Sequence, residues 1–206
     1  SPLSLIVSGF AAVKDIRIAT TPQLKADKNT SLIFIDLAKG KKRMGGSILA
    51  QVNKQMGGES PDVECLEEMP NFVEAIHKLL TDKKILAYHD RSDGGLITTL
   101  IEMSFASRLG LEINLDTVLE DDKQLIDFLF NEELGVVIQV RTKDLDCVHD
   151  LLDESGLKDH SHNLGCISAE KEINFSYRDK KILSFPLKAL LENWHKVGFE
   201  IQSLRD

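Results

Sequence analysis

Two short segments concentrate side chains able to hold a charged ligand: HDRSDGG at residues 89–95 and DLAKGKKRMGGS at residues 36–47. In the first, Asp90, Ser92 and Asp93 precede Gly94 and Gly95, and an apolar helical pattern starts at Leu96. A strand, a polar turn and a helix start present unpaired backbone N–H groups where the helix dipole is positive, a natural seat for phosphate. The glycines allow close backbone approach and positive φ. Asp90 can hold Mg²⁺, which on nucleotides takes one or two protein carboxylates plus phosphate oxygens. Ser92 can hydrogen-bond a phosphate oxygen. The same residues also suit a plainer role, with Ser92 or Asp93 capping the helix and Asp90 closing an Asx turn. Spacing alone leaves both readings open. His89 reads as a packed or hydrogen-bonded histidine rather than a base.

The second segment repeats the pattern of strand, glycine-rich basic loop and helix. Gly40 and Gly45 have the spacing of a P-loop, but Gly46 stands where its lysine must be, so it is not a Walker A motif. Gly45, Gly46 and Ser47 can open a phosphate-facing turn; close helix–strand packing beside a solvated Lys41-Lys42-Arg43 face accounts for them equally. His160-Ser161-His162 lacks a cysteine or acidic partner at familiar metal spacing and reads as a surface loop rather than a zinc site. Asn131-Glu132-Glu133 can supply paired carboxylates, though a helix end feeding a strand explains the cluster more simply. No nucleophile elbow, HExxH or GxGxxG is present.

The elements that must position these residues follow from periodicity. Leu3–Val13 reads as a strand and Thr21–Ser31 as largely loop. Leu32–Ile35 is a strand apolar on both faces. A helix is expected over Ser47–Met56 with Ile48, Leu49, Val52 and Met56 on its inner face, after which residues 57–62 form a loop. A helix entered at Pro70 carries Phe72, Val73, Ile76, Leu79 and Leu80. Ile85–Tyr88 is a strand, and the helix after HDRSDGG turns Leu96, Ile97, Leu100 and Met103 inward. Leu111, Ile113 and Leu115 mark a strand with one wet face. Leu125–Phe130 is helical, Val136–Val140 a strand, and Cys147–Leu152 a helix closed by Gly156. Asn163–Ser168, Ile173–Tyr177 and Ile182–Phe185 are strands, the last two joined at Arg178-Asp179-Lys180. A final helix over Leu187–Val197 carries Leu190, Leu191 and Trp194. Interleaved strands and helices predict an α/β or α+β fold, a mixed sheet covered by helices, with residues 1–206 as one domain.

Composition narrows the function classes. The 206 residues, 42% hydrophobic and 28% charged, can bury a core without disulfide or metal. A net charge of −8 disfavours nucleic-acid binding as the main role. Cys65, Cys147 and Cys166 form no CxxC pair and read as free, buried thiols of a reducing compartment. No apolar run reaches the length of a membrane span and no signal peptide is evident. A start at Ser-Pro-Leu-Ser, without an initiator Met, reads as a piece of a longer polypeptide.

Taken together, SPLSLIVSGFAAV, TPQL, DLAKGKKRMGGSILAQV, LAYHDRSDGGLITTLIEMSFAS, FNEELGVVIQV and the closing IQSLRD resemble the large single-chain phosphoribosylformylglycinamidine synthase family. The resemblance runs along nearly the whole chain, and HDRSDGG followed by FNEELG is its most specific part. It implies an α+β domain like the C-terminal domain of aminoimidazole ribonucleotide synthetase, here the second such domain of the synthetase part. The barrel-forming partner domain would precede it and the glutaminase domain would follow. It implies a cytoplasmic, purine-biosynthetic, ATP-dependent carbon–nitrogen ligase that converts formylglycinamide ribonucleotide, glutamine and ATP to formylglycinamidine ribonucleotide, glutamate, ADP and phosphate. In that family ATP phosphorylates the amide oxygen and ammonia displaces the phosphate. By position, Asp90 would be a Mg²⁺ ligand and Ser92, Gly94 and Gly95 would meet the nucleotide, ATP or ADP. An alternative within the family is that this loop holds an auxiliary nucleotide that does not turn over. Ala38 stands where the family often has glycine, and the three cysteines lie in no glutaminase motif. Related enzymes that phosphorylate thiamine phosphate or selenium compounds fit the FNEELGVVIQV and LRD stretches less well.

Overall fold

The computed structural model describes residues 6–13 and 15–205. Its centre is a seven-stranded sheet ordered β2-β4-β1-β5-β3-β6-β7. The strands are β1 (Thr30–Asp36), β2 (Ile85–Asp90), β3 (Gly110–Asn114), β4 (Gly135–Arg141), β5 (Ser161–Ser168), β6 (Glu172–Tyr177) and β7 (Lys180–Pro186). Every pairing is antiparallel except β3 with β6, so the sheet is mixed and the fold is α+β.

The pleat sorts β1 onto two cores. Leu32 and Phe34 enter one apolar cluster, and Ile33 and Ile35 enter the other. Helices α2 (Glu68–Thr81) and α5 (Leu145–Glu154) close the second cluster, with Phe72, Ile76, Leu79, Val148 and Leu152 meeting Ile85, Val136, Ile138 and Val140. Helix α3 (Gly95–Ser107) buries Leu96, Ile97, Leu100 and Met103 in the first cluster, where α4 (Leu125–Phe130) adds Phe128 and Leu129. Each fully buried side chain of this kind contributes roughly 1.5–3 kcal/mol of transfer free energy. Along β3, Leu111 and Ile113 face that core while Glu112 and Asn114 are exposed, the expected wet face. The β6–β7 hairpin turns through Arg178 and Asp179, both at positive φ, as a two-residue hairpin matched to strand twist requires.

Four expectations change. Ile6–Val13 form no strand, and Leu3–Leu5 lie outside the described residues. The helix expected over Ser47–Met56 shortens to α1 (Ile48–Val52), and its apolar stripe does not face a core: Ile48, Val52 and Met56 are 39%, 70% and 84% exposed. Helix α6 (Leu187–Ser203) runs beyond Val197; Leu190 and Leu191 pack on the core, but Trp194 is largely exposed and touches Phe105. The cysteines are unpaired but not buried, with Cys147 exposed and the other two half-exposed. None of the helices among the described residues is long and apolar enough to cross a membrane.

Candidate functional site

Strand registry gathers the chemistry-bearing segments at one edge of the sheet. Asp36 at the end of β1 lies opposite Gly135 at the start of β4, and Asp90 at the end of β2 lies opposite Val136. Ile35 pairs with Ser161 at the start of β5. The loop after β2 (residues 91–94), the loop after β1 (residues 37–47) and the turn before β4 (residues 131–134) therefore meet.

Arg91 joins them from below. Its guanidinium is 1% exposed and donates to Asp36 Oδ1 at 2.9 Å, to the Glu133 carbonyl at 2.5 Å and to the Leu134 carbonyl at 2.8 Å. The face of Phe34 lies 5.0 Å away. Burial lowers the Arg91 pKa from its ordinary value, and Asp36 opposes that shift; arginine stays charged, so the pair is an ion pair. The other Asp36 oxygen accepts from the Gly40 N–H at 2.8 Å, which closes the DLAKG turn with Lys39 and Gly40 at positive φ. Ala38 is buried at ordinary negative φ, so its methyl strains nothing.

Two neighbouring glutamates complete the framework. Glu133 is fully buried; it takes the Arg43 N–H at 3.0 Å on Oε1, with Arg43 Nε at 2.7 Å on Oε1 and Nη2 at 2.8 Å on Oε2. Burial pushes its carboxyl up, but the hydrogen bonds and charge of Arg43 outweigh this and hold it below the usual range. The same pairing raises Arg43. Glu132 sets one oxygen against the N–H groups of Gly94 and Ile48, each at 2.8 Å.

Within HDRSDGG, Gly94 is the N-cap of α3 at positive φ and receives no side-chain cap. Neither Ser92 nor Asp93 caps the helix; the Ser92 carbonyl accepts from Gly95 N–H at 2.9 Å. A methyl on Gly95 would come within 2.6 Å of the Leu129 and Asn131 carbonyls, so this glycine lets α3 approach α4. In this conformation the N–H groups of Gly94 and Gly95 are engaged internally. Asp90, Ser92 and Asp93 are exposed. Asp90 Oδ1 accepts from the Tyr88 hydroxyl at 2.7 Å rather than closing an Asx turn. Burial, then the hydrogen bond and charge of Asp90, raise the Tyr88 hydroxyl pKa. His89 is hydrogen-bonded to Glu102 at 2.9 Å, as its sequence context predicts.

No group of three or more histidine, cysteine or acidic residues placed to hold a metal ion by themselves occurs among the described residues. Asp90, with one oxygen bonded only to Tyr88 and the carboxylate open to solvent, fits the single carboxylate of a Mg²⁺ site completed by phosphates and water. Beside the loops lies a cleft of about 500 Å³, floored by Asp36 and Arg91 and bounded by Lys39–Lys42, residues 116–120 and His160. His160 and His162 are thus on a cleft wall rather than on a free surface loop; His162 stacks on Phe34, and burial lowers its pKa. In the second glycine loop, Gly45 and Gly46 give their N–H groups to the Glu59 and Met56 carbonyls at 2.7 and 2.8 Å, and Ser47 caps α1. Packing is the role seen there.

Residue types and spacing did not single out Asp36 or Arg91, and the two glutamates read most simply as a helix end; Arg43, expected on a solvated basic face, is instead only 13% exposed and bound to Glu133. Acidic and basic residues embedded between apolar runs were the available signal, since a charge buried there must find a partner.

Residues 34–178 match the family model described as AIR synthase related protein, C-terminal domain. Phosphoribosylformylglycinamidine synthase of Schizosaccharomyces pombe is 44% identical over 211 residues, covering 100% of this chain and 16% of that protein. Phosphoribosylformylglycinamidine synthase II of Thermotoga maritima has a similar fold, with TM-score 0.65 and 13% identity over 84% of this chain and 28% of that one. The same organism's PurL in complex with ATP gives TM-score 0.62 and 14% identity over 84% and 27%. The hydrogenase maturation protein HypE in complex with ATP gives 0.55 and 14% over 82% and 54%.

Proposed function

We propose, from the premise that this chain belongs to the AIR synthase related protein C-terminal domain family, that it is a nucleotide- and Mg²⁺-binding domain of a phosphoribosylformylglycinamidine synthase. The observation that carries the reading is 44% identity to such an enzyme along the whole chain. The HDRSDGG loop supports it by leaving Asp90 and Ser92 exposed above a rigid base. The chain spans 16% of that relative, so the overall reaction is proposed for a longer polypeptide. That reaction is the glutamine- and ATP-dependent conversion of formylglycinamide ribonucleotide to formylglycinamidine ribonucleotide in the cytoplasm. Residues 1–206 would act as one domain beside the rest of the synthetase and a glutaminase.

Bound Mg²⁺ would neutralise charge on phosphoryl oxygens of ATP or ADP. Asp90 offers one carboxylate oxygen to the ion while Tyr88 fixes the other in orientation. Ser92 offers its hydroxyl to a phosphate oxygen. Gly94 and Gly95, both at positive φ, shape the turn that leads into α3. Arg91 donates into the protein, so its charge serves the loop's base rather than the nucleotide.

A second reading, that this nucleotide is auxiliary and structural, draws on the same base. A loop tied to β1 by the buried Arg91–Asp36 ion pair, and to the turn before β4 by the Arg91 hydrogen bonds to the Glu133 and Leu134 carbonyls, would transmit ligand binding into fold stability. Asp90→Ala in the full-length protein separates the two. Lost turnover per folded molecule with an unchanged melting temperature identifies a catalytic nucleotide. Normal turnover with a lower melting temperature in ADP·Mg²⁺ identifies an auxiliary one. Unchanged turnover and stability reject both.

A further inference from the structure

Glu132 makes a contact that neither the family match nor the proposed nucleotide reading assigns. One of its carboxylate oxygens accepts from Gly94 N–H, at the entry to α3, and from Ile48 N–H, at the entry to α1. These are the two glycine-rich loops of the site edge, distant in sequence and joined here through one atom. Hydrogen bonds to a charged acceptor are about twice as strong as neutral ones, so this oxygen is a firm tie. Its neighbour Glu133 fastens Arg43 of the same basic loop, and the Arg91 guanidinium clamps the Glu133 and Leu134 carbonyls that follow. The turn 131–134 is thereby held from both sides, and Asn131 caps the end of α4 through the Asp127 and Phe128 carbonyls.

We infer that Glu132 is a positioning residue: it holds the loop bearing Asp90 and Ser92 against the basic loop Lys39–Arg43, so that nucleotide binding at the first orders the second. The inference rests on the nucleotide reading for its ligand, but the tie between the loops stands on geometry alone. Glu132 needs no contact with the ligand. Its effect passes through the Gly94 N–H, which fixes the turn from which Ser92 projects, and through the Ile48 N–H, which fixes the exit of the basic loop. A two-site coupling of this kind is established only by showing that a ligand at one loop changes the other through the named atom.

The test compares Glu132→Ala and Glu132→Gln in the full-length protein, using hydrogen exchange read by mass spectrometry and titration of ADP·Mg²⁺. Glutamine keeps a carbonyl oxygen in the carboxylate's place, so a specific positioning role is rescued by Gln and not by Ala. Without ligand, the peptides containing Gly94 and Ile48 exchange faster in the Ala variant and near wild-type rate in the Gln variant. With ADP·Mg²⁺, protection spreads from residues 92–97 to residues 44–50 in wild type and Gln, and stops at the first loop in Ala. Affinity falls about tenfold in Ala, the size of one charge-assisted hydrogen bond, and less than about threefold in Gln. Unaltered exchange at both loops in the Ala variant, or unchanged or tighter nucleotide binding, overturns the inference. If Asp90→Ala and Ser92→Ala also leave nucleotide affinity untouched, the nucleotide reading fails instead, and the ligand-free exchange still judges the tie. Should the Ala variant fail to fold, Glu132→Asp, whose shorter side chain withdraws the oxygen from both N–H groups, takes its place: spread of protection lost in Asp and kept in Gln supports the tie, and spread kept in Asp or lost in Gln overturns it.

Discussion

Arg91 stands between Asp90 and Ser92, yet its side chain is buried while both neighbours are exposed. A buried guanidinium carries a desolvation cost of several kcal/mol, offset here by one carboxylate, two carbonyls and the face of an aromatic ring. Removing one partner of such a pair costs more than the pair contributes, because the other charge is left stranded. Arg91→Met is expected to destabilise the fold by about 3–5 kcal/mol in urea denaturation. Lysine, a point charge without the fork, rescues little of that loss. A change within experimental error would mean that Asp36 is satisfied without Arg91. Asp90 and Ser92 were legible as ligand candidates from their types and their place before two glycines. Arg91 was not, because its three acceptors come from residues remote along the chain.

Elements with apolar residues on both faces or at a clean period were readable in advance. β1 and β4 are dense in branched apolar residues, and α3 carries Leu96, Leu100 and Met103 at helical spacing, all buried. α1 shows where periodicity stops being informative. Ile48, Val52 and Met56 share a stripe, but a stripe only says that a helix is amphipathic, not that its cover lies in the same chain. The outer half of α6, with Trp194, Val197 and Ile201 exposed, teaches the same lesson. On this chain, Val52→Lys is therefore expected to change stability by no more than about 0.5 kcal/mol. Leu100→Ala, which empties a fully buried site, is expected to cost about 2–5 kcal/mol. Thermal or chemical denaturation of the two variants checks both; a large loss at Val52 would mean that α1 packs more tightly than its exposure indicates.

At the scale of the whole molecule, the mixed sheet brings three loops to one edge and ties them with two buried ion pairs and the Glu132 oxygen. The fold class was visible in the interleaving of strands and helices. The convergence was not, since it depends on strand order, and neighbours such as β1 and β4 are far apart along the chain. Within HDRSDGG this scaffold leaves Asp90, Ser92 and Asp93 outward, and two of their groups, the Asp90 carboxylate and the Ser92 hydroxyl, carry the proposal. The central claim is that these two groups meet a magnesium nucleotide. Isothermal titration of ADP·Mg²⁺ into the full-length protein and its Asp90→Ala and Ser92→Ala variants tests it most directly. The account predicts that each substitution weakens binding about tenfold or more while the protein remains folded, as loss of a contact to a charged group does. Affinities equal to wild type in both folded variants would contradict it.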